Sequence, residues 1–529
     1  MSKHLFLGDE AIAQGAIDAG LSGVYSYPGT PSTEITEYIQ KSPEGRSGKV
    51  HSRWATNEKT AVESALGMSY CGKRTLSCMK HVGLNVAMDG FMNTAMSGIN
   101  GGMIVLSADD PSMHSSQNEQ DSRFLGNFAM IPMLEPSNQQ EAYDMVRDGF
   151  DLSEQFGYPI LMRITTRLAH SRADVETREG IAQNELSYDP EGRGRFILLP
   201  AIARRRYKIL IEKQKEFVAA SESSKYNQYF EGADKSMGIV ATGIAFNYLS
   251  ENFPDGFTYP VVKICQHPLP KNMLERLADE CESILVLEDG MPFVEGQLKG
   301  YLGRGLTIKG RLDGTLDRDG ELNPDRVAAA LGRPVQQIFE IPKVVEMRPP
   351  ALCFGCGHRD VYEALNDVLK EYEAPKVYSD IGCYTLGALP PFRAIDSCID
   401  MGASITMAKG ASDAGCFPAV SVIGDSTFTH SGMTGLLDAV NGKNNMVVVI
   451  SDNETTAMTG GQDSAGTGKI EAICLGLGVS PEHLRVFVPI KKNFEEMKRI
   501  IREEIEYPGL SVIIPRRECI QTLKRKKKK

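Results

Sequence analysis

Residues 419–453 read AVSVIGDSTFTHSGMTGLLDAVNGKNNMVVVISDN, and this stretch decides the fold. Ala419–Ile423 and Met446–Ile450 are short, β-branched apolar runs of buried-strand length. Gly424-Asp425-Ser426 ends the first run and Asp452-Asn453 ends the second. Positions 427 through 451 lie between the two motifs, 25 residues in all. That is room for one helix, about Thr434 to Asn441, and the returning strand. Both motifs then sit at the carboxyl ends of adjacent parallel strands, where open α/β sheets bind ligands. Gly424 would let the backbone come close to a diphosphate. The Asp425 carboxylate and the Asn453 amide oxygen are hard donors suited to Mg²⁺, which favours oxygen ligands and a diphosphate bridge. The Thr455 backbone carbonyl would complete the protein share. Either motif alone is an ordinary turn. The pair at this separation, each after an apolar strand, points to a diphosphate site.

The same alternation of strand and helix runs outward from this unit, so the fold class is multi-domain α/β with parallel sheets covered by helices. Residues 1–195 form a first α/β unit. Its expected helices are Gly8–Gly20 and Thr60–Tyr70; its expected strands are Val24–Tyr27, Thr75–Met79, Met103–Ser107 and Tyr158–Ile164. Residues 196–235 are rich in Lys, Arg, Glu, Ser and Gln and read as an exposed helical connector. A second, smaller unit covers 236–310, with strands at Met237–Gly243, Val261–Ile264 and Ser283–Glu288. A Gly/Asp-rich span and the Pro349-Pro350 pair mark a linker over 311–349. The third unit, 350–520, holds the quoted stretch with further strands at Lys376–Ser379 and Leu510–Pro515. A basic tail, 521–529, reads as solvated.

The chain has 529 residues, enough for several cores without covalent staples. Its net charge of −10 and pI of about 5.6 argue against a nucleic-acid-binding body. No apolar run approaches the roughly 18–20 residues that span a bilayer. The N-terminus turns acidic too early for a secretory signal. A cytoplasmic protein with reduced thiols is therefore expected. The 11 cysteines are odd in number and irregular in spacing, which makes a poor disulfide framework. Cys71, Cys78, Cys265, Cys281, Cys398, Cys416 and Cys474 read as packing residues, and Trp54 as core or interface. Cys353 and Cys356 form a C-x-x-C that, with Cys383 and Cys519, could hold an iron–sulfur centre or zinc; by spacing alone, reduced core cysteines are the safer reading.

The Gly-Asp…Asn spacing resembles the thiamine-diphosphate motif, with Ser426 in place of its last glycine and Asp452 in place of its first asparagine. Thiamine chemistry also needs a buried carboxylic acid beside the aminopyrimidine ring. Glu58, at the start of helix Thr60–Tyr70, is the candidate; on local sequence alone a helix-capping glutamate is the favoured reading, and the diphosphate site changes that balance. Tyr27-Pro28-Gly29-Thr30-Pro31-Ser32 is a rigid turn at a strand end that could offer the Thr30 hydroxyl to a carboxylate.

Taken with Tyr27–Ile35, Asn57–Lys59, Lys80–Asn85, Ser115–Arg123, Cys353–Arg359, Asp380–Gly387, Met401–Ile405 and Gly424–Gly461, the chain resembles the 2-oxoacid:ferredoxin oxidoreductases. More narrowly, it is similar to the alpha subunits of indolepyruvate:ferredoxin oxidoreductases. The resemblance implies a pyrimidine-type first domain, a transketolase C-terminal-like middle domain and a diphosphate-type last domain. It implies oxidative decarboxylation of an aryl 2-oxoacid (indolepyruvate, phenylpyruvate or phenylglyoxylate type) to the acyl-CoA.

In the implied site Glu58 serves the aminopyrimidine and Thr30 the substrate carboxylate. Lys80, His81, Asn85 and Arg123 lie near the pocket. Cys356, Gly357, His358, Gly382, Gly402, Gly424, Asp425, Ser426, Asn453 and Thr455 contact the cofactor. Asp425, Asn453 and Thr455 hold Mg²⁺, and Cys353, Cys356, Cys383 and Cys519 hold a [4Fe–4S] cluster. Implied partners are a smaller subunit, coenzyme A, and a ferredoxin or separate ferredoxin-like iron–sulfur subunit, in a hetero-oligomer with two copies of this chain. The departure from the family is that no C-terminal run of cluster cysteines follows, so electrons are expected to leave through a separate protein. A non-oxidative thiamine-dependent decarboxylase and a non-catalytic cofactor-binding scaffold are the alternative readings.

Overall fold

A computed structural model describes residues 2–187, 195–300, 305–335, 344–346 and 350–527. The chain divides into two compact units, Met1–Phe339 and Glu340–Lys529.

The quoted stretch forms the centre of the second unit. Ala419–Gly424 and Met446–Ser451 are adjacent parallel strands in a six-stranded sheet. The strand order is Ser397–Cys398, Lys376–Ser379, Ala419–Gly424, Met446–Ser451, Leu510–Pro515, Leu484–Phe487, with every pairing parallel. Side chains alternate between two cores, as the pleat requires. Val447 and Val449 pack toward the helices Gly357–Leu369 and Phe494–Glu506, through Val361, Leu365, Val368, Met497 and Ile501. Val448 and Ile450 face the opposite side, where Ile405, Ala408, Leu436 and Ala439 come from Ala403–Asp413 and Met433–Asn441. Burial on both faces is why these strands are apolar throughout rather than alternating.

The first unit holds two sheets. A seven-stranded sheet is ordered Gln266–His267, Met133–Leu134, Ile160–Thr165, Met103–Asp109, Thr75–Lys80, Gly23–Ser26, His51–Trp54. All neighbours are parallel except Gln266–His267. A five-stranded sheet runs Thr307–Lys309, Ser283–Leu287, Gly238–Thr242, Val261–Ile264, Gln228–Phe230, its last strand antiparallel. The helices Gly8–Asp18 and Glu58–Tyr70 cover the first of these sheets.

Several segments depart from the sequence reading. The connector over 196–235 is not an exposed spacer. Its helix Pro200–Glu222 buries Leu210 and Phe217 in the main core, and Gln228–Phe230 joins a sheet. Two apolar positions in a long charged helix give too weak a stripe to be seen by composition. Likewise the span read as linker, 311–349, packs Leu316, Leu322 and Val327 into the same core, the last from helix Pro324–Ala330. Residues Ile520–Lys526 of the basic tail are helical; Lys528 and Lys529, like Pro349, lie outside the described residues. The unit read as 236–310 lends Gln266–His267 to the seven-stranded sheet, so the boundary at 235 is not clean. Cys78, Cys265, Cys281 and Cys474 are buried, whereas Cys71, Cys398 and Cys416 are half-buried, as is Trp54 at the end of an edge strand.

Candidate active site

In the second unit the two motifs meet at the strand tips. Asp425 follows Gly424 and opens a single helical turn, Asp425–Thr427. Its side chain is 2% exposed, and its Oδ2 has no hydrogen-bond partner. Burial, with the Asp452 charge adding, pushes the carboxyl up to about 7, although the Ser464 hydroxyl and the backbone N–H groups of Ser426 and Asn453 act the other way. The Asn453 Oδ1 accepts from the Thr455 N–H at 3.1 Å. Between them Glu454 adopts φ +61°, a left-handed conformation that turns the loop back and costs an L-residue about 1–2 kcal/mol. Thr455 and Thr456 pair antiparallel with Gln462–Asp463, and the Ser426 hydroxyl meets that of Thr456 at 2.9 Å. Asp452 is held by Arg516 at 2.7 Å, which in turn reaches Glu471 at 2.7 Å. An acid replaces an amide there because a guanidinium neutralises it.

An orphaned, buried carboxylate oxygen beside an amide oxygen and a tight carbonyl-bearing turn fits an oxygen-preferring divalent cation. The donor set therefore suits Mg²⁺.

Beside this loop is a cavity of about 120 Å³, lined by Cys353, Cys356, Cys383, Cys519, His358 and Asn453 among others. Cys356 precedes helix Gly357–Leu369, and its N–H donates to the Cys353 carbonyl at 3.1 Å, making the C-x-x-C a tight turn. Burial pushes the Cys383 thiol up to about 12, and the nearby Cys356, Cys519 and Cys353 add to the shift. The Cys356 thiol is raised for the same reasons. The four thiols line one cavity, and a cation bound there would deprotonate those that ligate it. Among the described residues no three of these sulfurs lie within 4.8 Å of one another. A zinc tetrahedron with 2.3 Å bonds needs sulfurs about 3.8 Å apart. The N–H of Arg517 donates to the Asp452 carbonyl at 3.0 Å and that of Cys519 to Asn453 at 3.1 Å. The cysteine wall and the metal-type loop are thus joined by backbone hydrogen bonds. His358 is buried, and desolvation lowers its pKa to about 4, so it is neutral at physiological pH; its Nε2 lies 3.5 Å from the Asn453 amide nitrogen.

The sequence reading missed Tyr384 and Asp380. Asp380 accepts from the Tyr384 hydroxyl, the Ser404 hydroxyl at 2.6 Å and the Gly402 N–H at 3.2 Å. A Cβ on Gly424 would stand 2.6 Å from Tyr384 Cε1, and one on Gly382 would stand 2.3 Å away. This ring by itself demands glycine at 424. Nothing local in the sequence marks an aromatic ring forty residues upstream. Gly402, at φ +96°, precedes helix Ala403–Asp413.

In the first unit, Glu58 begins its helix, but the cap is Asn57, whose Oδ1 accepts from the Thr60 N–H at 2.9 Å. Glu58 is 6% exposed. A Cβ on Gly83 would stand 2.6 Å from Glu58 Oε1, so Gly83 makes room for the carboxylate. The Thr30 turn is half-buried, and a Cβ on Gly29 would come 3.3 Å from Lys80 Cβ. Lys80 donates to the Ser115 carbonyl at 2.7 Å; burial lowers its pKa. His81 Nε2 lies 3.3 Å from the Asn118 carbonyl, and Asn85 bonds Gln120. The segment Ser115–Gln120 thus runs beside all three.

Arg123 is different. It is fully buried, paired with Asp121 and with Glu288 at 3.1 Å, and it donates to the Met291 carbonyl at 3.0 Å. With no exposed surface it faces carboxylates rather than an open pocket. This corrects its placement among substrate contacts: a lone arginine in a polar segment gives no sign of inward pairing.

Residues 14–226 match the family described as pyruvate flavodoxin/ferredoxin oxidoreductase, thiamine diP-bdg. Residues 380–514 match the thiamine pyrophosphate enzyme, C-terminal TPP binding domain. Indolepyruvate oxidoreductase subunit IorA of Methanothermobacter thermautotrophicus is 38% identical, over 98% of this chain and 87% of its own length. That of Archaeoglobus fulgidus is 38% identical over 98% and 86%. The solved 2-oxoglutarate:ferredoxin oxidoreductase from Magnetococcus marinus aligns with a TM-score of 0.52 at 16% identity, over 62% of this chain; the chain spans about 65% of that one, and the likeness is one of fold. The site and these matches define a class, the thiamine-diphosphate-binding 2-oxoacid oxidoreductases. Within it, this chain belongs to the family of indolepyruvate oxidoreductase subunit IorA.

Proposed function

We propose that this chain is the large catalytic subunit of an enzyme that oxidatively decarboxylates an aryl 2-oxoacid to its acyl-CoA. The observation that carries the reading is the buried Asp425 carboxylate, with one oxygen unpartnered, at the strand tips beside Asn453 and the four-cysteine cavity. Thiamine diphosphate, when bound, supplies the carbanion and electron sink that a 2-oxoacid needs to lose carbon dioxide.

The protein residues have separate tasks. Asp425, Asn453 and the Thr455 carbonyl hold Mg²⁺ against the diphosphate, and Ser426 adds a hydroxyl. Glu58, buried against Gly83, holds a proton at the aminopyrimidine. Thr30 and Lys80 bind the substrate carboxylate, and His81 and Asn85 order the adjoining segment. Cys353, Cys356, Cys383 and Cys519 hold a [4Fe–4S] cluster, and His358, kept neutral by burial, spaces that wall from Asn453. Four converging thiols favour the oxidative reading over a non-oxidative decarboxylase, which needs none of them, and over an inert scaffold. A smaller subunit completes the coenzyme A site, in a hetero-oligomer with two copies of this chain. A ferredoxin or a ferredoxin-like subunit takes the electrons. Among the described residues no helix is long and apolar enough to cross a membrane.

The test is anaerobic co-expression with the smaller subunit. Indolepyruvate, phenylpyruvate, phenylglyoxylate and 2-oxoglutarate are each offered with coenzyme A and an artificial one-electron acceptor. Acyl-CoA formation from an aryl substrate, with iron present and lost in Cys353→Ser, supports the reading. Aldehyde formation that ignores both coenzyme A and the cysteines overturns it.

A further inference from the structure

Three side chains of the first unit come together that the proposed reaction does not use. Asp9 lies in the first turn of helix Gly8–Asp18. It is 0% exposed, and neither carboxylate oxygen has a hydrogen-bond partner. Leaving a buried carboxylate unsatisfied costs several kcal/mol unless a proton or cation compensates it. Glu34 and His170 stand over it, and one ligand atom of each of the three lies within 4.8 Å of the others. Glu34 Oε2 is also without a hydrogen-bond partner and lies 3.7 Å from His170 Nε2. Glu34 and His170 are each more than a third exposed at the side chain, although Glu34 Oε2 itself is buried.

We propose that Asp9, Glu34 and His170 form a binding site for Zn²⁺, separate from the Mg²⁺ and cysteine sites. One imidazole and two carboxylates are a mixed nitrogen–oxygen set that zinc takes readily, with water in its open position. Bonds of about 2.0–2.1 Å put tetrahedral ligands about 3.3 Å apart. The 3.7 Å between His170 and Glu34 is close to that edge. Asp9 is fixed by its helix, while the two rim side chains are free enough to close the remaining gap. Burial and the Glu34 charge raise the Asp9 pKa in the empty site; a bound dication would reverse both effects.

Two measurements on the full chain test this. Crystals soaked in ZnCl₂, measured above and below the zinc absorption edge, are expected to show an anomalous peak bounded by the three residues. Chelator-treated protein, in a Cys353→Ser background that reduces thiolate-bound zinc, is titrated with ZnCl₂. His170→Ala, at the surface, and Asp9→Asn, nearly isosteric, are each expected to weaken one equivalent at least about tenfold. Absence of the peak, or undiminished uptake by both variants, overturns the assignment and leaves two carboxyls sharing a proton.

Discussion

The backbone N–H of Cys519 donates to the carbonyl of Asn453 at 3.1 Å. Asn453 belongs to the loop that faces Asp425, and Cys519 to the wall of the cysteine cavity. With the Arg517 N–H on the Asp452 carbonyl at 3.0 Å, this hydrogen bond ties the proposed metal loop to the proposed electron-acceptor wall. Electron transfer from a cofactor in one to a cluster in the other would need no moving part.

Cys519→Ser keeps this hydrogen bond, because the donor is the backbone, and removes only the sulfur. Reconstituted anaerobically, the variant is expected to lose iron and to pass electrons to an artificial acceptor at least about tenfold more slowly. Thiamine diphosphate affinity, followed by tryptophan-independent calorimetry, should stay within about twofold of wild type. Unchanged iron content would remove Cys519 from the ligand set.

Asp425 should link metal binding to pH. Its folded pKa is about 7, against an unfolded value of about 4. Between these values the folded state holds a proton that the unfolded chain has released. Stability of the metal-free protein therefore falls as pH rises from about 4 to 7, and the cost is complete above 7. Metal-free Asp425→Asn is expected to melt above wild type at about pH 8 and level with it at about pH 4. In wild type, Mg²⁺ competes with the proton, so Mg²⁺-dependent cofactor binding weakens below pH 7, approaching about tenfold per unit. Titration calorimetry across buffers reads the released proton directly.

Gly83→Ala tests the seat of Glu58. The new methyl would stand 2.6 Å from Glu58 Oε1, while alanine itself favours the helix His81–Val86. The variant should stay folded and lose kcat by about 10²-fold or more, the scale of a displaced acid–base group, with Mg²⁺ affinity unchanged. Glu58→Gln should match it. Full activity in Gly83→Ala would mean that the carboxylate position is irrelevant to turnover.

Arg163→Met tests the buried ion-pair network of the first unit. Arg163 is 1% exposed, bonds Asp109 at 2.7 Å and the Asp289 carbonyl at 2.8 Å, and pairs with Glu135. Removing it strands carboxylates away from water, an expected loss of about 3–5 kcal/mol. Denaturant unfolding should show this loss, with no change in the iron or Mg²⁺ content of the folded fraction.

What could be read along the chain was whatever is encoded over a few dozen residues. The strands Ala419–Gly424 and Met446–Ser451, the intervening helix and the Gly-Asp and Asp-Asn tips follow from hydrophobic runs and turn chemistry, which are local. The packed helix Pro200–Glu222 was misread because only two of its apolar positions face the core. Arg123 was read as a pocket residue because, beyond the neighbouring Asp121, its buried partners Glu135 and Glu288 are distant in sequence.

The amino-acid order by itself determined the α/β class, the metal-type tips and the residues eligible to be ligands, because periodicity and donor chemistry belong to neighbours in sequence. Only the tertiary structure decided which eligible groups share a cavity, that Tyr384 requires glycine at 382 and 424, and that Asp425 and Asp9 are cut off from water. Burial and convergence depend on contacts between distant segments, and no local pattern carries them.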